Sequence, residues 1–137
     1  MKVVLDKDAI MPTRAHESDA GYDLYCKDAR KLIMPGAAVV FDTGVHVQLP
    51  KGTAGLLVSK SGLNVNHGIL STGLIDAGYT GSIKVKLYNH SNHEYLISHG
   101  DKISQLVIIN ISTPELELAD TLNSTDRGDS GFGSTGK

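Results

Sequence analysis

At 137 residues and 40% hydrophobic content, the chain suits one compact domain with a real core and leaves no room for two. A formal net charge of −2 and a pI near 6.3 exclude the broad basic footprint that duplex DNA or RNA requires, so any nucleic-acid-related ligand should be small. Cys26 is the only cysteine, which rules out an intrachain disulfide and thiolate-rich metal sites, and no apolar run approaches the roughly 20 residues of a membrane helix.

Along the chain, short β-type runs recur between turn signals, at residues 3–5, 39–41, 45–49, 55–58, 83–89, 103–109 and 116–119. Val45, Val47 and Leu49 alternate with polar neighbours and are expected to share one face, as are Ile83, Val85 and Leu87. Gly and Pro punctuate these runs at Pro35-Gly36, Pro50-Lys51-Gly52, Gly78 and His99-Gly100. No helical apolar stripe exceeds about three turns, and one short helix is expected near Gly62. The pattern predicts an all-β antiparallel sandwich or jelly roll. The last fifteen residues, NSTDRGDSGFGSTGK, hold Phe132 as their only large apolar side chain. Such a segment cannot bury enough surface to offset its ordering entropy, so residues 1–122 are expected to form the domain and 123–137 a flexible arm.

Three clusters carry chemistry. In Gly73-Leu74-Ile75-Asp76-Ala77-Gly78-Tyr79-Thr80-Gly81, a strand end delivers a carboxylate into a turn and a tyrosine follows three residues later. An aspartate in a turn commonly bonds only local backbone, while the chemical reading is a general base beside a water. Ser59-Lys60-Ser61-Gly62 places a cation and hydroxyls next to a glycine that permits close backbone approach. A Ser–Lys nucleophile pair is disfavoured there, because neighbours on a strand point to opposite faces. Asp19-Ala20-Gly21-Tyr22-Asp23 offers two carboxylates for a hard cation but too few ligands for a closed calcium loop. The six histidines form no zinc-type spacing, including His90 and His93.

Five blocks, standing in one order, resemble the motifs of the trimeric dUTPases. They are Ala20-Gly21-Tyr22-Asp23-Leu24, Ser59-Lys60-Ser61-Gly62-Leu63, the nine residues from Gly73 to Gly81, Gly100-Asp101-Lys102-Ile103-Ser104-Gln105-Leu106, and the ten from Arg127 to Gly136. The resemblance implies a β jelly roll of the dUTPase type, assembled as a homotrimer with active sites shared between subunits. It further implies a dUTP diphosphatase that yields dUMP and pyrophosphate with Mg²⁺, limiting uracil in DNA and supplying dUMP for thymidylate synthesis. By that resemblance Asp76 activates the water that attacks the α-phosphorus, and Tyr79 packs under the deoxyribose. The stretch from Asn66 to Gly73 resembles the hairpin whose backbone reads uracil, although Leu70 offers it no side-chain hydrogen bond. Ser61 looks like the hydroxyl near the oxygen bridging the α- and β-phosphates, with Lys60, Gly62 and Gln105 as phosphate contacts. Asp23 resembles the acid that holds Mg²⁺ through its waters. Arg127 would bond the γ-phosphate and Phe132 would stack on the base, a contact worth about 1–3 kcal/mol. Gly133, Ser134 and Thr135 would complete the phosphate shell, so that the arm acts as a lid.

Lys60 stands where the family more often has arginine, and it lacks the bidentate fork. The related dCTP deaminases would need a catalytic glutamate where this chain has Lys86, which cannot act as a carboxylate. A non-catalytic dUTP sensor is a second alternative, and retention of Asp76, Ser61, Gln105 and the arm argues against it. Neither nucleic acid nor membrane is expected as a partner. A regulatory protein partner would use surface residues that the sequence does not identify. The expected location is cytoplasmic, or the host-cell cytoplasm for a viral source.

Overall fold

The structure is a computed structural model that describes residues 1–130. Among the described residues, ten strands and one helix follow one another. They are β1 (Lys2–Leu5), β2 (Gly21–Tyr25), β3 (Lys31–Ile33), β4 (Ala38–Asp42), β5 (Val45–Gln48), β6 (Thr53–Val58), α1 (Ser61–His67), β7 (Ile69–Ile75), β8 (Lys84–Asn89), β9 (Tyr95–Ile97) and β10 (Lys102–Asn110). A six-stranded sheet runs β2-β10-β6-β7-β8-β4, antiparallel at every pairing, and two ribbons, β1-β5 and β3-β9, complete the fold. This is the all-β jelly-roll architecture that the strand pattern predicts.

The alternation in the sequence becomes the core. Val45, Val47 and Leu49 turn inward from β5 and its end, and Ile83, Val85 and Leu87 do so from β8 and the residue before it. They pack with Leu24, Phe41, Leu57, Ile97, Ile103 and Leu106 in one cluster, so sheet and ribbons share a single interior. Gly55 sits within that interior because a Cβ there would meet Leu106 Cδ1 at 2.8 Å and Ile75 Cβ at 3.2 Å.

The short helix falls where Gly62 predicts it and stops at Gly68, whose φ of 63° supplies the left-handed cap. Residues 66–73 are therefore not a hairpin: they are the last helical turn, its cap and most of β7. The hairpin is β7–β8, and its connection spans residues 76–83. The strand expected at 116–119 is likewise absent. Leu116 and Leu118 are 98% and 101% exposed, because no edge of this chain lies alongside to pair with them. Strands β2, β3 and β9 go beyond the sequence reading. Two of them have only three residues, and β2 carries an aspartate at a buried position. No helix among the described residues is long and apolar enough to cross a membrane.

Candidate functional site

Asp76 follows directly on β7, whose last residue, Ile75, is anchored in the core. The carboxylate is exposed at the start of the hairpin loop, and the Tyr79 N–H donates to the Asp76 carbonyl at 3.0 Å, closing the turn. The Tyr79 ring folds over Gly81 and its hydroxyl donates to the Ser82 carbonyl at 2.9 Å. Leu74, Ile75, Asp76, Tyr79 and Lys84 line an open recess of about 230 Å³. A carboxylate and an aromatic face thus meet at a concavity, as a base and a ring-packing platform require.

The loop is tied down from behind. Ser82 Oγ donates to Asp42 Oδ1, Lys84 Nζ donates to Asp42 Oδ2 at 3.2 Å, and His46 Nδ1 lies 2.8 Å from the Thr80 carbonyl. Burial pushes the Asp42 carboxyl up, but the Ser82, Gly44 and Lys84 hydrogen bonds and the Lys27 charge outweigh it and hold the group well below the usual range.

The second cluster lies elsewhere on the sheet. Asp23 on β2 pairs in register with Gln105 on β10, which pairs with Val58 on β6, which pairs with Thr72 on β7. Tyr22 and Leu24 turn toward the core, so Asp23 points the other way; it is nevertheless only 4% exposed, because polar side chains cover it. Lys60 Nζ donates to Oδ1 at 2.9 Å, Lys102 Nζ to Oδ2 at 2.8 Å, and Gln105 Nε2 to Oδ1 at 3.3 Å. Burial raises the carboxyl, yet the two ammonium groups more than offset this and keep Asp23 below its ordinary value. Beneath this row, Ser71 and Ser104 share a hydrogen bond at 2.9 Å, and Ser59 Oγ clips the Ser71 backbone from both its N–H and its carbonyl. Ser59 and Lys60 lie past the end of β6 and point to different partners, so they form no Ser–Lys pair.

Ser61 and Gly62 open α1 and are exposed next to this cluster, and a Cβ on Gly62 would meet nothing within 4 Å. Gly73 plays a packing part: a Cβ there would meet Leu57 Cδ1 at 3.0 Å across the β6–β7 pair. Asp19 does not join Asp23, since its carboxylate accepts the His16 N–H at 2.9 Å. Arg127 turns back on its own segment, with Nε donating to the Ser130 carbonyl at 3.1 Å. Phe132, Gly133, Ser134 and Thr135 lie outside the described residues.

One chain therefore carries two separate clusters. Asp76 stands four residues beyond Thr72 on β7, about 13 Å along the strand from the Asp23–Gln105–Val58–Thr72 row at the usual rise. Lys102 is the member that sequence reasoning did not single out. Its only signal is a lysine two positions before β10 begins to pair regularly with β2, and that does not reveal the partner.

The donor set limits what metal this chain can hold. Asp23 is a single carboxylate with about four acceptor positions, three of which meet Lys60, Lys102 and Gln105. Among the described residues no group of three His, Cys, Asp or Glu side chains converges. This arrangement fits a Mg²⁺ that keeps its waters and draws direct ligands from a phosphate substrate, not a caged ion.

Fold and clusters together define a jelly-roll protein with a carboxylate–tyrosine loop on one part of its sheet and a buried aspartate clamped by two lysines on another. The dUTPase family model matches residues 7–136. The deoxyuridine 5'-triphosphate nucleotidohydrolase of Corynebacterium glutamicum is 43% identical over 143 residues, covering 100% of this chain and 95% of its own. That of Yarrowia lipolytica is 39% identical over 135 residues, with 96% and 85% covered. Among solved structures, a point variant of the Staphylococcus bacteriophage 80alpha dUTPase with dUpNHpp superposes at a TM-score of 0.91, with 34% identity over 99% of this chain and 98% of that one. A variant of the dUTPase from phage phi11 of S. aureus, described with a structural Mg(II) ion, gives 0.80 at 32% identity, covering 88% and 96%. The chain belongs to the dUTPase family, and it is a hydrolase.

Proposed function

We propose that this enzyme hydrolyses dUTP to dUMP and pyrophosphate, and that the reaction runs at sites assembled from more than one copy of the chain. The observation that carries the reading is the exposed Asp76 carboxylate poised with Tyr79 over a recess, in a chain whose relatives bear the dUTP nucleotidohydrolase name. Asp76 accepts a proton from a water whose oxygen attacks the α-phosphorus. The bond from that phosphorus to the α,β-bridging oxygen breaks, and pyrophosphate leaves with the electron pair. General-base help of this kind is worth about 10²–10⁴ in rate. Tyr79 packs against the deoxyribose and leaves no space for a 2′-hydroxyl.

The cluster of Lys60, Ser61, Gly62 and Gln105 binds the phosphates. Its distance from Asp76 within one chain is the argument for assembly: the loop of one copy must face the lysine cluster of another. A homotrimer is the closed arrangement we favour, with the unpaired, leucine-bearing stretch around 116–119 available for contacts between copies. Asp23 would hold Mg²⁺ through water, and the ion, when bound, neutralises charge on the triphosphate. The arm, residues 123–137, closes over a site, with Arg127 on the γ-phosphate, Phe132 on the base, and Gly133, Ser134 and Thr135 around the phosphates. In the cell, such an activity limits uracil in DNA and supplies dUMP for thymidylate synthesis.

The test is pyrophosphate release from dUTP, dCTP, dTTP and UTP, with Mg²⁺ and with excess EDTA. Release from dUTP alone, suppressed by EDTA, is the expected result. Binding of dUTP without release from any nucleotide would turn the reading toward a sensor that kept the pocket and lost the chemistry.

A further inference from the structure

The hairpin loop is fastened at its tip by one side chain from another ribbon. His46 on β5 sets Nδ1 2.8 Å from the Thr80 carbonyl and Nε2 3.1 Å from Asp6 Oδ1. Both neighbours only accept hydrogen bonds when Asp6 is ionised. A neutral imidazole has one N–H and one lone pair, so it would set that lone pair against an acceptor on one side. The imidazolium donates to both. On losing a proton, the ring keeps the N–H that faces the carboxylate, the stronger charge-assisted bond, and turns a lone pair toward Thr80.

We infer that His46 is a positioning residue for the active loop: it holds the Tyr79–Thr80 segment in place while its imidazole carries both protons, and releases it when one is lost. The inference rests on the reading of this loop as the sugar-binding and catalytic segment.

The surrounding charges favour the doubly protonated state. Asp6 faces the ring directly and is itself held by Lys27 Nζ at 2.8 Å. Asp42, behind the loop, adds a second negative charge, shared with Lys27 at 3.5 Å and Lys84 at 3.2 Å. Lys2, on β1, lines the same open recess as His46, Asp6 and Thr80, and opposes the imidazolium from that side. The Thr80 carbonyl first, and then Asp6, raise His46 above its ordinary value of 6.5. The sign follows: the pin is fully present below about pH 6.5 and is lost as the pH rises through the raised value.

Two measurements test this. In the wild-type protein, an NMR titration of the His46 ring is followed together with the Thr80 and Gly81 amides, which needs no substrate and no variant. The amides are expected to move with the ring, and amides indifferent to it would overturn the inference. The second measurement compares kcat and KM for dUTP in wild type and His46→Asn from about pH 5.5 to about pH 9, a range that brackets histidine titration. The Asn Nδ2 stands where Nδ1 stands and donates to Thr80 at every pH. The wild-type KM is expected to rise about tenfold relative to the variant across this range, as for loss of one charge-assisted hydrogen bond. Taking the ratio cancels titration of the triphosphate itself. A constant ratio would refute the role of His46. Absence of pyrophosphate release at any pH would instead defeat the dUTP reading, and the NMR titration would still decide whether the pin exists.

Discussion

Replacing Gly81 with alanine isolates the placement of Tyr79 from everything else in the loop. The Gly81 backbone lies outside the left-handed region, so alanine meets no conformational penalty there. Its Cβ, however, would fall 2.5 Å from the Tyr79 hydroxyl, 2.6 Å from Cζ and 2.9 Å from Cε2. Relaxed contacts need about 3.5–4.0 Å, so the ring must retreat by about 1 Å. The retreat breaks the hydrogen bond to the Ser82 carbonyl, worth about 1 kcal/mol net. Tyr79 is 44% exposed, so its ring can swing into solvent without opening the core. Melting should therefore fall by only about 3–4 °C for a chain of this size. Function should suffer far more, since a misplacement of about 1 Å costs about 10²-fold in rate. Steady-state pyrophosphate release, with dUTP and UTP as substrates, reads both consequences: kcat/KM for dUTP should drop about 10²-fold and discrimination against UTP should shrink. Wild-type kcat/KM and unchanged discrimination in Gly81→Ala would refute the assignment of Tyr79 to the sugar. A fall in melting temperature of 10 °C or so would show instead that the loop is part of the stability framework.

Other perturbations separate the two clusters. Asp76→Asn should bind dUTP but turn over about 10²-fold or more slowly, measured by single-turnover kinetics, and wild-type turnover would remove Asp76 from the mechanism. Asp23→Asn strands two lysines around a neutral amide. Loss of one member of a buried charge cluster costs about 3–5 kcal/mol, and the partial exposure of Lys60 and Lys102 reduces this to about 2 kcal/mol in a denaturation series. Because Asp23 titrates below 3.8 in the fold, its contribution is complete above that pH and is lost as the pH falls through the lowered value. Wild type should therefore converge on Asp23→Asn in stability once the pH has fallen through that lowered value, and parallel curves would contradict the clamp. A chain ending at Thr125 should keep its melting temperature and its assembly, because residues 123–130 are exposed and bond only locally, while turnover collapses. A monomer after that truncation would assign the tail a structural role.

Much of this protein is written in local pattern. The two alternating triads of β5 and β8 name their buried face because side chains in a strand alternate with a period of two, and all six residues are in the core. A helix of seven residues opens with Ser61 and Gly62 and stops at Gly68, and the Asp76-to-Gly81 turn delivers its carboxylate to the surface. The Gly81 requirement is also local, since the ring that fills its Cβ position sits two residues away. Where pattern misled, the cause was equally physical. The run at 116–119 alternates like a strand, but a strand exists only where a second edge accepts its hydrogen bonds, and this chain offers none there.

What tertiary structure decided are the meetings between distant residues. Asp23 looks like an exposed loop acid until Gln105, 82 positions away, and Lys102 arrive from β10 to bury it. His46 is one histidine among six until the Thr80 carbonyl, 34 positions on, and Asp6, just past the strand paired with β5, reach its two ring nitrogens. The offset of about 13 Å along the strand direction between Asp76 and the row that holds Asp23 likewise follows from strand register and the usual rise. Periodicity within a segment records which face is buried. It carries no information about which strand lies alongside, and in an antiparallel sheet that neighbour sets the chemistry.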